Sequence, residues 1–180
     1  FQRTIHIQST SRSKIIREFT MSEIFSEVEI RKLPKMRVGS FIVISRYPEI
    51  QVVDYMHQWA KKQSSPALPD QRGFGFDYPV SDAQKKLGMR GYEFWLSIPE
   101  DWRESDYVVI KEIPEDEYAV LRITEPFADP FDSIPTGWKK LSAWVKNGYC
   151  KGKWSQTRYC LEEVIEKEGK TNMDIYIPID

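Results

Sequence analysis

The fold is decided by the stretch Val28-Glu29-Ile30-Arg31-Lys32-Leu33-Pro34, which returns later in the chain as Val108-Val109-Ile110-Lys111-Glu112-Ile113-Pro114. Each copy alternates apolar and polar residues, then has a proline, a polar turn and a second β-rich run. The match continues without a gap, so that Val43 in the first copy corresponds to Ile123 in the second. Alternation with a proline at the strand end is typical of a β-hairpin, and we expect one hairpin in each copy.

A helix and two further strands are predicted after each hairpin. The helices are indicated by apolar residues at the spacing i, i+3, i+4 and i+7, which forms a single stripe. The first stripe contains Val52, Tyr55, Met56 and Trp59. In the second, Trp138, Leu141 and Val145 take positions i, i+3 and i+7, and Trp144 widens the apolar face. After the helix we expect one short strand, near 73–78 in the first copy and near 159–165 in the second. Each copy then closes with a similar strand, at 93–98 in the first copy and at 174–179 in the second.

Each copy therefore reads β-β-α-β-β, and the sequence predicts an α+β fold of two tandem units related by pseudo-twofold symmetry. The units are the halves at about 27–99 and 107–180 of one domain, 21–180. A single unit of this size buries little core of its own, so we expect the two to pair. Pairing leaves a groove at the pseudo-axis between the two helices, which is a natural pocket. The alternative is that the repeat serves folding only.

The composition excludes several classes of protein. The chain has 180 residues, 41% of them hydrophobic, and no run approaches the roughly 20 apolar residues that a membrane-spanning helix needs. A formal net charge of -1 argues against direct contact with nucleic acid, for which clustered Lys and Arg are typical. With two cysteines and two histidines, we expect no disulfide framework, no zinc or other metal site and no cofactor.

The first twenty residues differ in character from the rest. Residues 1–20 carry four basic side chains and one acidic side chain, and no signal-peptide pattern is present at the start. We interpret this segment as a tag or linker remnant, as the stub of an upstream DNA-binding domain or as a genuine extension. The sequence otherwise predicts a cytoplasmic domain, and whether that domain forms a homodimer is left open.

Six motifs are spread over both halves: Gly91-Tyr92-Glu93-Phe94-Trp95-Leu96-Ser97-Ile98-Pro99, Val109-Ile110-Lys111-Glu112-Ile113-Pro114, Tyr118-Ala119-Val120, Gly137-Trp138-Lys139-Lys140-Leu141, Leu161-Glu162-Glu163 and Asp174-Ile175-Tyr176-Ile177-Pro178-Ile179. Together they resemble the GyrI-like effector-binding domain over about residues 27–180. This domain is found fused to AraC-type and MerR-type transcription regulators, and free-standing in gyrase-inhibitory and integron-cassette proteins.

The resemblance implies a multidrug-type pocket, in which a buried acidic residue lies among aromatic rings and binds amphipathic, often cationic, small molecules. The family's second-half glutamate matches Glu162, with Glu163 as its neighbour. Adjacent residues of a strand point to opposite faces, so at most one of the two lines the pocket. A lipophilic cation would compensate the cost of burying that carboxylate, and aromatic faces would add cation–π attraction.

Aromatic residues are the candidate walls of this pocket. They are Trp59, Tyr92, Trp95, Trp138 and Tyr176, with Phe76 at the first-half edge. Asp77 lies in the first half about where Glu162 and Glu163 lie in the second, and it is either a second anion or a turn residue. A role in the core is also open for Trp59 and Trp138, which have helical spacing, and for the equivalent Trp95 and Tyr176.

The sequence leaves three functions open. The first is binding of a small amphipathic cation, in drug sensing or sequestration. The second is hydrolysis of cyclopropane-bearing toxins, an activity of some members of the family that the chain resembles. In that case the pocket glutamate would activate water. The third is interaction with a protein such as a topoisomerase, for which we expect exposed apolar side chains around 126–131.

Overall fold

A computed structural model describes residues 24–63, 65–105, 107–148, 158–167 and 169–180. The strands are β1 (Glu29–Leu33), β2 (Met36–Ser45), β3 (Gly73–Tyr78), β4 (Arg90–Ser97), β5 (Val109–Ile113), β6 (Asp116–Thr124), β7 (Leu161–Lys167) and β8 (Lys170–Pro178). The helices are α1 (Pro48–Lys61), α2 (Asp82–Lys86) and α3 (Pro130–Gly148), and a 3-10 turn spans Pro126–Ala128. The segment predicted to be a leader, 1–20, lies outside the described residues.

The strands and helices predicted from the repeat are present, and they confirm the α+β class. The two apolar stripes lie on α1 and α3, and the short strands expected after them are β3 and β7. The repeat does not predict α2, which begins with a capping box: the Ser81 hydroxyl accepts from the Gln84 backbone, and the Gln84 side chain accepts from the Ser81 backbone. No described helix is long and apolar enough to cross a lipid bilayer.

The eight strands of the described residues form one antiparallel sheet in the order β1-β6-β8-β7-β3-β4-β2-β5. The second half supplies the block β6-β8-β7, and the first half supplies the block β3-β4-β2. The two blocks meet where β7 pairs with β3. The edge strands are exchanged between the halves: β1 of the first half pairs with the block of the second half, and β5 of the second half pairs with the block of the first half.

The hairpins predicted for the two repeats are therefore wrong. β1 pairs with β6, where Glu29 lies opposite Val120, and β5 pairs with β2, where Ile113 lies opposite Met36. The links from β1 to β2 and from β5 to β6 each have two residues, of which the first is a proline. A two-residue hairpin turn needs a positive φ at its first residue, and proline holds φ near about -65°. The chain therefore runs on into the other half instead of turning back.

Successive side chains of each strand point alternately to the two faces of the sheet, the helix face and the inner face. The helix face is covered by α1 and α3, so that Met56 of α1 shares a buried cluster with Leu96, and Leu141 of α3 shares one with Ile175. The inner face has a buried cluster of its own, formed by Leu33, Met36, Val38, Phe74, Phe76, Trp95, Tyr118, Val120, Leu161 and Tyr176. No described helix contributes to this second cluster. Because its members come from strands along the whole sheet, the sheet curls around them as a half-barrel.

Candidate functional site

Two equivalent positions of the repeat meet where the halves join. Gly75 of β3 pairs with Glu162 of β7. On its other side, Gly75 lies opposite Phe94 of β4, and Glu162 lies opposite Ile175 at the matching position of β8. Gly75 and Glu162 therefore occupy equivalent positions of the two halves. Because these equivalent residues pair with each other, they lie at the pseudo-twofold axis.

Two aromatic side chains hold Glu162 on the helix face. The Tyr92 hydroxyl of β4 donates to Oε2 at 2.9 Å, and the Trp138 Nε1–H of α3 donates to Oε1 at 3.1 Å. Both donors are neutral, and no Lys, Arg or His within the described ranges forms an ion pair with this carboxylate. In that part of the chain, Glu162 has hydrogen bonds but no counter-charge.

The surroundings of Glu162 oppose its ionisation. Burial raises the pKa of this carboxyl group above its ordinary value, and the negative charges of Asp77 and Glu49 raise the pKa further. The hydrogen bonds from Tyr92 and Trp138 lower the pKa but do not cancel the effect of burial. Burial also raises the pKa of Tyr92 well above its usual range, so its hydroxyl stays protonated and remains a donor.

Glycine at position 75 makes room for the Tyr92 side chain. A Cβ atom at this position would overlap the Tyr92 hydroxyl and the ring carbons next to it. At Gly73, on the same face of β3, a Cβ atom would overlap the Phe94 ring. The two glycines therefore let aromatic side chains of β4 lie over β3.

Three further charged residues lie near this carboxylate. Glu49 is in the first turn of α1, and Asp77 is an exposed residue of β3. Arg90 of β4 connects them, with its Nη2 atom 2.5 Å from Glu49 and 3.6 Å from Asp77. Glu49 and Arg90 were not predictable from the sequence, because they belong to no motif and only the fold brings them together. The described residues contain no group of His, Cys, Asp or Glu arranged to hold a metal ion.

The predicted equivalence of Asp77 with Glu162 or Glu163 is wrong. Asp77 lies opposite Tyr92 in β4, and Val164 lies opposite Met173 at the matching position of β8. The counterpart of Asp77 is therefore Val164. Asp77 remains near Glu162 because both lie on the helix face of neighbouring strands.

Glu163 points to the inner face and is fully engaged there. The Nε and Nη2 atoms of Arg72 each donate to it at 2.7 Å, and the Tyr176 hydroxyl donates to it at 2.5 Å. Glu162 and Glu163 thus point to opposite faces, as strand alternation predicts. Because Arg72 already balances its charge, Glu163 is a structural carboxylate.

The remaining predicted wall residues lie in the core. Trp95, Phe76 and Tyr176 belong to the buried cluster of the inner face, where the rings of Trp95 and Phe76 are 4.7 Å apart. Trp59 is buried on the helix face of the first half, with its ring 5.3 Å from that of Trp102. The structure brings Tyr92 and Trp138 to Glu162, and these four residues pack elsewhere.

The fully buried carboxylates of the described residues all have cationic partners. Beside Glu163, they are Glu93, which lies 2.6 Å from Lys111 Nζ, and Asp174, which lies 2.8 Å from Arg31 Nη1. Burial would raise the pKa of Asp174, but hydrogen bonds from two arginines hold it below its ordinary value. The carboxylate at the pseudo-axis differs from these three, since its partners in the described part of the chain are neutral.

The exposed apolar side chains expected around 126–131 are present. Phe127 in the 3-10 turn is 54% exposed, and Phe131 in the first turn of α3 is 93% exposed. Both rings are accessible for contact with another molecule.

Solved structures with the same fold include two of EcmrR, one of them in a complex with DNA, and one of a protein bound to tetraphenylphosphonium. The chain is similar to the EcmrR C-terminal domain, with a TM-score of 0.66 and 16% identity over 86% of this chain and 97% of that chain. It is similar to EcmrR in a cryo-EM complex with DNA, with a TM-score of 0.65 and 16% identity over 94% of this chain and 64% of that chain. It is also similar to SAV2435 bound to tetraphenylphosphonium, with a TM-score of 0.52 and 9% identity over 86% of this chain and 94% of that chain. Identities this low show a common fold alone.

Sequence comparison leads to one family. No curated protein sequence matches the chain. The family model described as "Integron-associated effector binding protein" matches residues 29–179, which is nearly the whole domain. This match confirms the resemblance to GyrI-like effector-binding domains that the motifs indicate. The chain therefore belongs to the family of integron-associated effector binding proteins.

Proposed function

We propose that this protein binds small amphipathic cations at Glu162, on the helix face of the sheet where β7 meets β3. The observation that carries the proposal is a largely buried carboxylate with two aromatic neighbours and no cationic partner among the described residues. A lipophilic cation supplies the missing counter-charge. The rings of Tyr92 and Trp138 would each add cation–π attraction of about 0.5–2 kcal/mol.

Two further observations support a cationic ligand. Asp77 and Glu49 add negative charge beside Glu162, which Arg90 balances only in part, and the remaining negative charge attracts cations to this part of the surface. The similar structure of SAV2435 holds tetraphenylphosphonium, a lipophilic cation of this class. A domain that binds such a molecule would serve drug sensing or sequestration, either alone or as the effector-binding part of a transcription regulator.

The proposal is tested by titrating the protein with tetraphenylphosphonium, with tryptophan fluorescence and calorimetry as readouts. We expect saturable binding that Glu162→Gln weakens by about tenfold or more, a loss of about 1.4 kcal/mol or more. The matched control is Glu166→Gln, which removes the same charge from an exposed residue of β7 and should leave binding unchanged. Equal binding by Glu162→Gln and the wild type, or no saturable binding at all, would overturn the proposal.

Hydrolysis is a second candidate, because the raised pKa of Glu162 also suits a general base. The test is incubation with an electrophilic cyclopropane and detection of the ring-opened product. Several equivalents of product per protein, abolished in Glu162→Gln, would establish turnover. Binding without product would leave sensing or sequestration as the function.

A further inference from the structure

A cavity lies at the edge of the sheet that carries β5. It is open to solvent, with a volume of about 490 Å³, and is lined by Arg37 of β2, Ile110 of β5, and Arg103 and Glu104 from the loop between β4 and β5. This volume falls within the range of about 300–1,000 Å³ that is typical of small-molecule sites. None of the four residues takes part in the contacts of Glu162.

Two guanidinium groups converge in this cavity. Arg37 Nη2 lies 3.5 Å from the carbonyl oxygen of Trp102, and Arg103 Nη1 lies 3.3 Å from the same oxygen. These distances are long for N–H···O hydrogen bonds, although Arg103 Nη1 also donates to the Glu100 carbonyl oxygen at 3.1 Å. These acceptors are neutral and do not balance the positive charge of either guanidinium group. Two positive charges held around one oxygen atom repel each other, and a bound anion would relieve that repulsion.

The charges of the two arginines are poorly balanced by the described protein groups. Arg37 forms one long ion pair, 3.4 Å from the exposed Glu112, and Arg103 forms no ion pair with any carboxylate in the described ranges. The Arg37 Nε atom is buried and has no hydrogen-bond partner. A buried donor without an acceptor costs about 1–3 kcal/mol, so the guanidinium group of Arg37 is incompletely compensated within the described part of the protein.

We propose that Arg37 and Arg103 bind the carboxylate or phosphate group of a small molecule in this cavity. Guanidinium groups present parallel N–H donors at the spacing of the oxygen atoms of such groups, and charge-assisted bonds of this kind are strong. Glu104 is the opposing charge at the site, although one of its oxygen atoms already accepts from the Ile110 backbone N–H at 3.0 Å. The site takes an anion, so this proposal is independent of cation binding at Glu162.

The experiment uses inorganic phosphate and benzoate as separate probes of the full chain. The resonance of the Arg37 Nε–H group, followed by NMR, should shift saturably with at least one probe at millimolar concentration. A response to phosphate alone identifies a phosphate site, and a response to benzoate alone identifies a carboxylate site. No saturable shift with either probe would overturn the proposal.

Variants separate this site from a general effect of charge. Arg103→Gln should weaken binding of the responding probe by about tenfold, because it removes one of two charge-assisted partners. Glu104→Gln should strengthen binding, since it removes the nearby negative charge. Arg46→Gln is the matched control, because Arg46 is exposed and lies outside the cavity, and Glu162→Gln should also bind the probe as the wild type does. An equal loss in Arg46→Gln and Arg103→Gln, or in Glu162→Gln and Arg103→Gln, would contradict the assignment.

Discussion

Glu162 and Gly75 show how a difference between two residues breaks the symmetry of a duplicated fold. They occupy equivalent positions of the repeat and pair with each other in the sheet. Glu162 supplies a carboxylate, whereas Gly75 has no side chain and leaves room for a neighbouring one. The Tyr92 hydroxyl uses that space to reach Glu162. The site therefore depends on the glycine as much as on the acid.

Gly75→Ala is expected to destabilise the protein by about 1–3 kcal/mol, because the added methyl group would overlap the Tyr92 hydroxyl. Urea unfolding measures the change. The control is Gly148→Ala, where the added methyl group meets no other atom and should be neutral or stabilising by up to about 1 kcal/mol. Equal stabilities of Gly75→Ala and the wild type would show that Tyr92 does not depend on this glycine.

Cation affinity is expected to rise with pH, through the ionisation of Glu162. The folded protein holds the Glu162 proton above the ordinary pKa of 4.5, so the free energy of unfolding should fall as pH rises from that value to the raised one. A bound cation favours the ionised form, so affinity should increase through the same window and level off above it. Calorimetric titration with tetraphenylphosphonium at several pH values measures this. Glu162→Gln should show no such slope, and an unchanged slope in that variant would assign it to another group.

At the residue scale, strand alternation was enough to predict that Glu162 and Glu163 point to opposite faces of the sheet. The same rule separates Tyr92 from Trp95, since residues three apart in a strand point to opposite faces, and only Tyr92 meets Glu162. The contact of Arg72 with Glu163 was not predictable, because it joins residues far apart in the chain and depends on how β3 and β7 meet. Glu49 and Arg90 were missed for the same reason.

Among the elements, β1 and β5 carry equivalent ion pairs into the opposite halves. Arg31 of β1 reaches Asp174 in the second half, and Lys111 of β5 reaches Glu93 in the first. Arg31 and Lys111 occupy matching positions of the repeated stretch, and so do Glu93 and Asp174 of the closing strands. The exchanged strands are thus each fixed by a charge pair with a buried carboxylate.

Lys111→Met is expected to destabilise the protein by about 3 kcal/mol, because it leaves Glu93 buried without a cation. The measurement is the free energy of unfolding in urea. Lys85→Met is the matched control, since it breaks the exposed pair with Asp82 and should cost less than about 1 kcal/mol. Adding Glu93→Gln to Lys111→Met should recover part of the loss, and no recovery would show that the charge of Glu93 is not the cause.

At the element scale, the sequence predicts where the strands lie but not which strands pair. The stretches that form β1 and β5 are so similar that either can complete either block with the same alternation of side chains. Periodicity therefore does not distinguish a local hairpin from an exchange. The proline after each stretch was read as a strand end, and its restricted φ also excludes the tight turn that a hairpin needs.

For the whole molecule, the exchange makes the two halves depend on each other. Each half lacks the strand that completes its block, and the central pair of β7 with β3 joins the halves again. The duplicated α+β architecture was predictable, because the repeat runs through nearly the entire chain. The curling of the sheet was not, because it follows from burial of the inner face by distant strands.

Fragments 27–106 and 107–180 are expected to be largely unfolded when separate and to recover strand structure when mixed, since each completes the other's sheet. Circular dichroism and urea unfolding measure both states. The control is the intact chain with a cleavage site in the loop 65–72, which should stay folded after cutting because no strand is divided. Cooperative unfolding of fragment 27–106 alone would contradict the mutual dependence.

The exchange of edge strands also sets an order of events during biosynthesis. β1 is synthesised before the other seven strands of the described sheet, yet Glu29 lies beside Val120, which is synthesised after the entire first half. Pairing between such distant segments is slow, and an unpaired strand presents free backbone groups in the meantime. The nascent domain must therefore carry β1 without its partner until β6 has been synthesised, and a chaperone that binds unpaired strands would act in this interval.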